Sequence, residues 1–338
     1  MTVELAQPEA LVHAVGRFRT APKDIARYDT GVDTAARALR ATPDQVGRLA
    51  AAGLPHSRDT EGALLFDYDD LMNVGMFCGT GQTVPELGLR FLMRFAATAR
   101  PSWFEPRSWE VGVHPARTAA GAPQGSAARL PEVSVRLPDD QAPGVELLDG
   151  QRLPDGPLAE GGYEIAVRLT GADRTVHDPA VRAVWDEVVN TLAARDVLYQ
   201  TVPEALREDH HRAWGLGVAD CVVASRLLTD MLLERGYQAR ARRGYLLGLF
   251  GSDHAWCEVF EDGVYKSLDP VFGFVSKLGD RTRGVAESPE FAEACFGGRF
   301  NRLLPCRTES AQPLVYFADA PAPYWAMAGV GARPRRTA

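Results

Sequence analysis

The stretch from Trp214 to Phe272 constrains the fold more than any other part of the chain. Trp214-Gly-Leu-Gly-Val-Ala-Asp-Cys221 is a glycine-containing turn that runs directly into Val222 to Arg235, an apolar helix closed by Gly236. Tyr237 to Leu247 and His254 to Phe260 then read as strands. Glu261-Asp-Gly263 supplies a hairpin turn, and Val264 to Leu268 is the returning strand, ending at Asp269-Pro270. Hairpin pairing brings the start of one strand beside the end of the other, so His254 and Asp269 are expected to be neighbours.

The order of these residues carries a chemistry. Cys221 falls in the first turn of a buried helix, where free N–H groups and the positive end of the helix dipole favour the thiolate, the nucleophilic form. An imidazole paired with a carboxylate beside that thiolate makes a nucleophile, a base and an orienter. Each residue alone has a plainer reading. A cysteine opening an apolar helix is usually core, a histidine starting a strand is often merely satisfied, and Asp before Pro is a common turn residue. The specific signal is the ordered set of Cys at a helix start, then His-Ala-Trp, then Leu-Asp-Pro after a hairpin.

Asp220-Cys221, Gly236-Tyr-Gln-Ala-Arg240, Gly244-Tyr245, His254-Ala-Trp-Cys-Glu-Val259 and Leu268-Asp-Pro270 together resemble the transglutaminase-like superfamily. The resemblance implies an α+β fold with a papain-like core, in which the cysteine-bearing helix packs on an antiparallel sheet. It also implies a Cys221–His254–Asp269 triad, acyl chemistry through a thioester, and no metal or other cofactor in the catalytic step. The calcium sites and further domains of the family's protein-crosslinking members have no counterpart here.

The chain has 338 residues, which suggests about two domains. Its 46% hydrophobic and 24% charged residues can bury a sizeable core and exclude disorder throughout. The net charge of -7 repels phosphate polyanions and leaves no general footprint for nucleic acid. The start has no basic region and an early Glu4, and no apolar run approaches a membrane span, so a soluble, cytoplasmic protein with no membrane partner is expected. Five cysteines without a CxxC pair signal neither a disulfide framework nor a zinc site.

Five segments are expected. Residues 1–28 read as an arm or short helix. Residues 29–100 resemble a winged helix-turn-helix: Asp33 as the cap of a first helix to about Arg40, a Thr42-Pro-Asp-Gln45 capping box opening a second that Gly53 ends, a small hairpin from Leu54 to Phe66, a third helix from Asp67, and an apolar helix from Val84 to Ala97. Between Asp29 and Thr80, four arginines face eight acids, a local charge of -4 that argues against DNA contact and for an interaction or lid unit. Residues 101–160 form a connector; from His114 to Glu160 it holds 7 Pro and 5 Gly in 47 residues. Within it Glu132 to Leu137 alternates like an edge strand. The catalytic part is placed at 161–320, with a strand at Tyr163–Leu169 and an amphipathic helix from Asp178 to about Arg195, and a tail at 321–338.

Other residues divide by position. Cys257, three places from His254 on a strand, is expected to face away from the site, whereas Trp256 shares the His254 face. Asp209-His-His211 invites a metal reading, but adjacent histidines on a charged helix are expected to point apart, so no metal ligand is assigned. Cys78, Cys295 and Cys306 are assigned no catalytic role from the sequence. An oxyanion needs donors: the Cys221 N–H is one, and Gln200 or Trp214 the second, with nothing in the spacing to choose between them.

The whole-chain layout resembles the Dieckmann cyclases that release tetramate or pyridone rings from polyketide–nonribosomal peptide assembly lines. That resemblance implies a β-ketoacyl-aminoacyl thioester delivered by a carrier protein, taken up by Cys221 and released by ring closure. Tyr245, Leu247, Phe250, Trp256, Phe272 and Phe274 are then either the wall around a long acyl tail or ordinary core. Two alternatives are an amide-forming acyltransferase or cysteine peptidase on the same core, and a non-catalytic DNA-binding sensor.

Overall fold

A computed structural model describes residues 8–115, 133–156, 158–159, 162–249, 253–278, 287–317 and 328–335. The first helix, α1 (Pro8–Ala14), buries Leu11 and Ala14 in a cluster shared with four of the next six elements. Those six are β1 (Thr30–Gly31), α2 (Val32–Leu39), α3 (Pro43–Ala51), a hairpin of β2 (His56–Arg58) and β3 (Leu64–Phe66), and α4 (Tyr68–Phe77); α2, α3, β3 and α4 share the cluster. The expected capping box opens α3: the Thr42 hydroxyl accepts from Gln45 N at 3.2 Å, and the Gln45 side chain accepts from Thr42 N at 2.7 Å. Asp33, however, does not cap α2. Gly31 holds that place, the helix starts at Val32, and Asp33 lies inside its first turn where its charge suits the helix dipole. Leu39, Val46, Leu49, Phe66 and Leu71 close the cluster.

The apolar helix α5 (Val84–Ala96) turns Leu92, Met93 and Phe95 into the main core instead, and α6 (Pro101–Phe104) adds Trp103. Beyond them lies a second sheet. β4 (Arg107–Pro115) is its central, nine-residue strand, lying in the order β17-β4-β8-β6 between β17 (Ala328–Pro334) and β8 (Tyr163–Leu169), with β6 (Val145–Leu147) at the far edge. β5 (Val133–Val135) pairs with β7 (Leu158–Ala159) and β16 (Val315–Phe317). Thus strands that pack Trp109, Val111 and Val113 into a buried cluster begin within the segment that reads as a connector, and a strand forms in the segment that reads as a tail.

Cys221 is reached through a series of short elements. Asp178 caps α7 (Pro179–Ala194) by accepting from Ala180 N. β9 (Leu198–Tyr199), α8 (Glu204–Glu208), α9 (His210–Gly215) and β10 (Val218–Ala219) lead to α10 (Cys221–Glu234), with β9 and β10 paired in parallel. α10 packs across a five-stranded antiparallel sheet of order β14-β13-β12-β11-β15: β11 (Ala239–Leu246), β12 (Asp253–Glu261), β13 (Val264–Leu268), β14 (Phe296–Gly297) and β15 (Leu303–Pro305). α11 (Pro270–Leu278) and α12 (Pro289–Ala294) complete the core beside α7. Helices laid on antiparallel sheets make the fold α+β. Among the described residues, no helix is long and apolar enough to cross a membrane.

Candidate active site

Cys221 is the first residue of α10, and Asp220 is its cap. The Asp220 Oδ1 accepts from Val222 N at 2.9 Å and Val223 N at 3.0 Å, while Ala224 N donates to the Asp220 carbonyl. The first turn of a helix leaves its N–H groups without intrahelical acceptors. With the next three satisfied through Asp220, the Cys221 N–H is the one amide of that turn left without a protein acceptor among the described residues. It is therefore free to meet an oxyanion.

His254 and Asp269 meet as the hairpin predicts. The ladder pairs Cys257 with Leu268, so Asp269 and His254 lie just beyond it, and His254 Nε2 donates to Asp269 Oδ2 at 2.6 Å. Asp269 is fixed in turn: its Oδ1 accepts from Phe272 N at 2.9 Å at the start of α11. The Cys221 side chain lies close enough to the imidazole to favour its charged form. Burial alone would push the His254 pKa down; the Asp269 charge and hydrogen bond, followed by the contact with Cys221, overcome it and push it up to about 10. Relative exposures of 8% for Cys221, 4% for His254 and 1% for Asp269 put the triad out of bulk water.

A buried ionic network holds both ends of this arrangement. Asp220 Oδ2 accepts from Arg207 Nε at 2.6 Å, and Arg207 Nη1 donates to Glu204 Oε2 at 2.9 Å. The same carboxylate takes Arg243 Nη1 at 2.7 Å, and Arg243 Nε reaches Asp253 Oδ2 at 3.1 Å. The residue before Cys221 is thereby tied to the residue before His254. Burial would raise the carboxyls of Glu204 and Asp253, but the two guanidiniums hold both below their ordinary values. Tyr199, in register with Ala219 two residues before Cys221, packs its ring edge-on to Phe274. Burial, then the Cys221, Asp220 and Asp269 charges, push its phenol upward. The network and Tyr199 have no signature in the sequence beyond an Asp placed directly before Cys221.

The remaining expected residues separate by face. Phe272 stacks on the His254 ring at 4.3 Å between centroids, and Trp256 lies at 6.3 Å, two places along the same face of β12. Both are buried, as is Phe274. Tyr245 and Leu247 do not belong to the site. Tyr245 is paired with Asp253, so alternation turns it and Leu247 to the face away from His254, where both join the cluster of Trp109 and Val111. Phe250 lies outside the described residues. Cys257 is fully buried beside Thr229 of α10, and burial pushes its thiol up to about 12.

Of the two second-donor candidates, Gln200 is engaged elsewhere. Its Oε1 accepts from Arg19 N at 3.0 Å and its Nε2 donates to Arg19 O at 2.7 Å, so it clamps the N-terminal arm. Trp214 is half-buried on α9 against the main core. The pair His210–His211 also departs from expectation. A break at Asp209 between α8 and α9 lets both rings converge: His210 Nε2 lies 2.6 Å and His211 Nε2 3.0 Å from Asp230 Oδ2. The three ligand atoms lie within 4.8 Å of one another, and among the described residues these are the ones that could hold a metal ion, away from the triad.

No family model matches the chain, and no curated protein matches it. A solved structure from Cytophaga hutchinsonii, provisionally described as a cysteine protease, is similar to it at 11% identity over 69% of this chain and 88% of that one, with a TM-score of 0.29. A likeness at that TM-score bears on neither the mechanism nor the substrate of this chain.

Proposed function

We propose that this chain is a transglutaminase-like cysteine acyl-transfer enzyme with a papain-like core, acting as a Dieckmann cyclase on a chain carried by a polyketide–nonribosomal peptide assembly line. The observation that carries the reading is the buried His254 imidazole bonded to Asp269, with the Cys221 side chain close enough to raise its pKa, at the mouth of α10. A cysteine sulfur facing an imidazolium, with a free amide at the same helix start, is the equipment of acyl transfer.

Cys221 attacks the thioester carbonyl of a β-ketoacyl-aminoacyl chain, and the oxyanion meets the Cys221 N–H. The C–S bond to the carrier thiol breaks, and His254 gives that thiol its Nδ1 proton. Neutral His254 then takes a proton from the acidic carbon between the two carbonyls. The carbanion attacks the Cys221 thioester, a C–C bond closes a pyrrolidine-2,4-dione ring, and the thiolate leaves opposite the restored imidazolium. Asp269 holds the ring with Nδ1 toward the sulfur throughout. The low exposure of all three residues supports ring closure over hydrolysis, because water competes for the same thioester.

The test is the product formed from a synthetic β-ketoacyl-aminoacyl N-acetylcysteamine thioester. A cyclic 1,3-dicarbonyl is expected. A free acid or, with added amine, an amide as the sole product would replace the cyclase with a hydrolase or an amide-forming transferase. Retarded DNA together with full function of Cys221→Ala would replace the enzyme with a sensor.

A further inference from the structure

On the His254 face of β12, but four residues further on at Glu258, the face of the sheet carries a small pocket partly open to solvent. Four residues of strand span about 13 Å, so the pocket is remote from the reacting sulfur. Its charged lining is Arg174, Arg240, Arg299 and Glu258, beside Tyr265 and Ser267.

Glu258 is already committed. Its Oε2 accepts from Arg240 Nε at 2.7 Å and its Oε1 from Trp256 Nε1 at 3.3 Å, while the Arg240 guanidinium lies 3.9 Å above the Tyr265 ring. Neither Arg174 nor Arg299 forms an ion pair with a carboxylate among the described residues. Arg299 spends one N–H on the Thr170 carbonyl at 3.0 Å, and its backbone N–H and C=O are both bonded to Ala172. The guanidinium is seated against bare backbone: a Cβ on Gly144 would lie 2.3 Å from its Nη2. Three arginines against one glutamate leave the pocket at +2 in a chain whose net charge is -7. Burial and the neighbouring Arg174 charge press the Arg299 pKa down against the pull of Glu258, as expected of a cation short of an anion.

We infer that this pocket binds a phosphate-type oxyanion, with Arg174 and Arg299 as its two forks and Ser267 as a hydroxyl donor. Planar guanidiniums offer paired N–H groups that match tetrahedral oxyanions, and a partly buried site strengthens each bond. The site is independent of the acyl chemistry and stands or falls without it.

Isothermal titration of the full chain with inorganic phosphate at low salt tests this, with methyl phosphate run alongside. The expected Kd for phosphate is on the order of 0.1–1 mM, weakened about tenfold in Arg174→Met and in Arg299→Met and unchanged in Cys221→Ala. Tighter binding of methyl phosphate assigns the site to an esterified ligand, and equal or weaker binding to the free ion. Because Arg174 is exposed, its variant reports even if Arg299→Met fails to fold. No binding by the unaltered chain, or equal affinity in Arg174→Met, overturns the inference.

Discussion

His254 shows how far neighbours can move one residue's chemistry. With its pKa pushed up to about 10, the ring stays protonated across the neutral range while it faces Cys221, and activity should fall on the alkaline side near pH 10 as that proton is lost. The folded state binds the proton more tightly than the unfolded chain does. The resulting stability is complete below about 6.5 and is lost as pH rises through about 10; His254→Ala should therefore flatten the pH dependence of Tm in that window. Cys221→Ala and His254→Ala should abolish turnover, whereas Asp269→Asn should leave a small fraction of kcat, because an orienter is less essential than a nucleophile. Asp69 is perturbed without a catalytic partner. Burial, then the Asp67 charge, push it up to about 8, and its Oδ1 has no hydrogen-bond partner among the described residues. Its folded pKa is raised, so its favourable contribution exists below the ordinary carboxyl range and disappears as pH rises through about 8. Asp69→Asn should then stabilise the fold at pH 9 by at least about 1 kcal/mol in denaturant melts.

Among the helices and strands, those with local signatures are legible in the sequence. The α3 capping box, α7, α10, the Glu261–Gly263 turn and the His254–Asp269 meeting all come from spacing, because each depends on residues near one another along the chain. β4 and β17 are harder to see. β4 carries the alternation Trp109, Val111, Val113, but it sits beside a Pro- and Gly-rich run, and β17 is recognisable only from its pairing with β4. The convergence of His210 and His211 depends on the helix break at Asp209, and the faces of Tyr245 and Leu247 depend on the register with β12. The ionic network is hidden for the same reason, since it joins α8, the α10 cap, β11 and β12. Arg207→Met would leave Asp220 short of its partner and cost about 3–5 kcal/mol, with kcat lowered more than KM is raised, since the Cys221 helix start loses its anchor. Denaturant melts and steady-state kinetics on the same variant check both halves.

Across the full chain, the N-terminal helices are bound to the loop that leads into the site. Arg19 pairs with Gln200 through its backbone, and Asn73 of α4 makes two reciprocal bonds with Thr201: Nδ2 to its carbonyl at 2.9 Å and Oδ1 from its N–H at 2.8 Å. Gly217, just before β10, has a positive φ of 73° and leaves room for the Arg19 guanidinium, which a Cβ would approach to 2.9 Å. Gln200→Leu should lower Tm and retain most of kcat if its amide serves as this clamp; a loss matching His254→Ala would make it an oxyanion donor instead. The most direct test of the acyl-enzyme is intact-protein mass spectrometry during turnover of the N-acetylcysteamine thioester. The expected result is an acyl adduct on Cys221 that decays as cyclic product appears, and that is missing together with turnover in Cys221→Ala. Cyclic product formed at full rate by Cys221→Ala would contradict it.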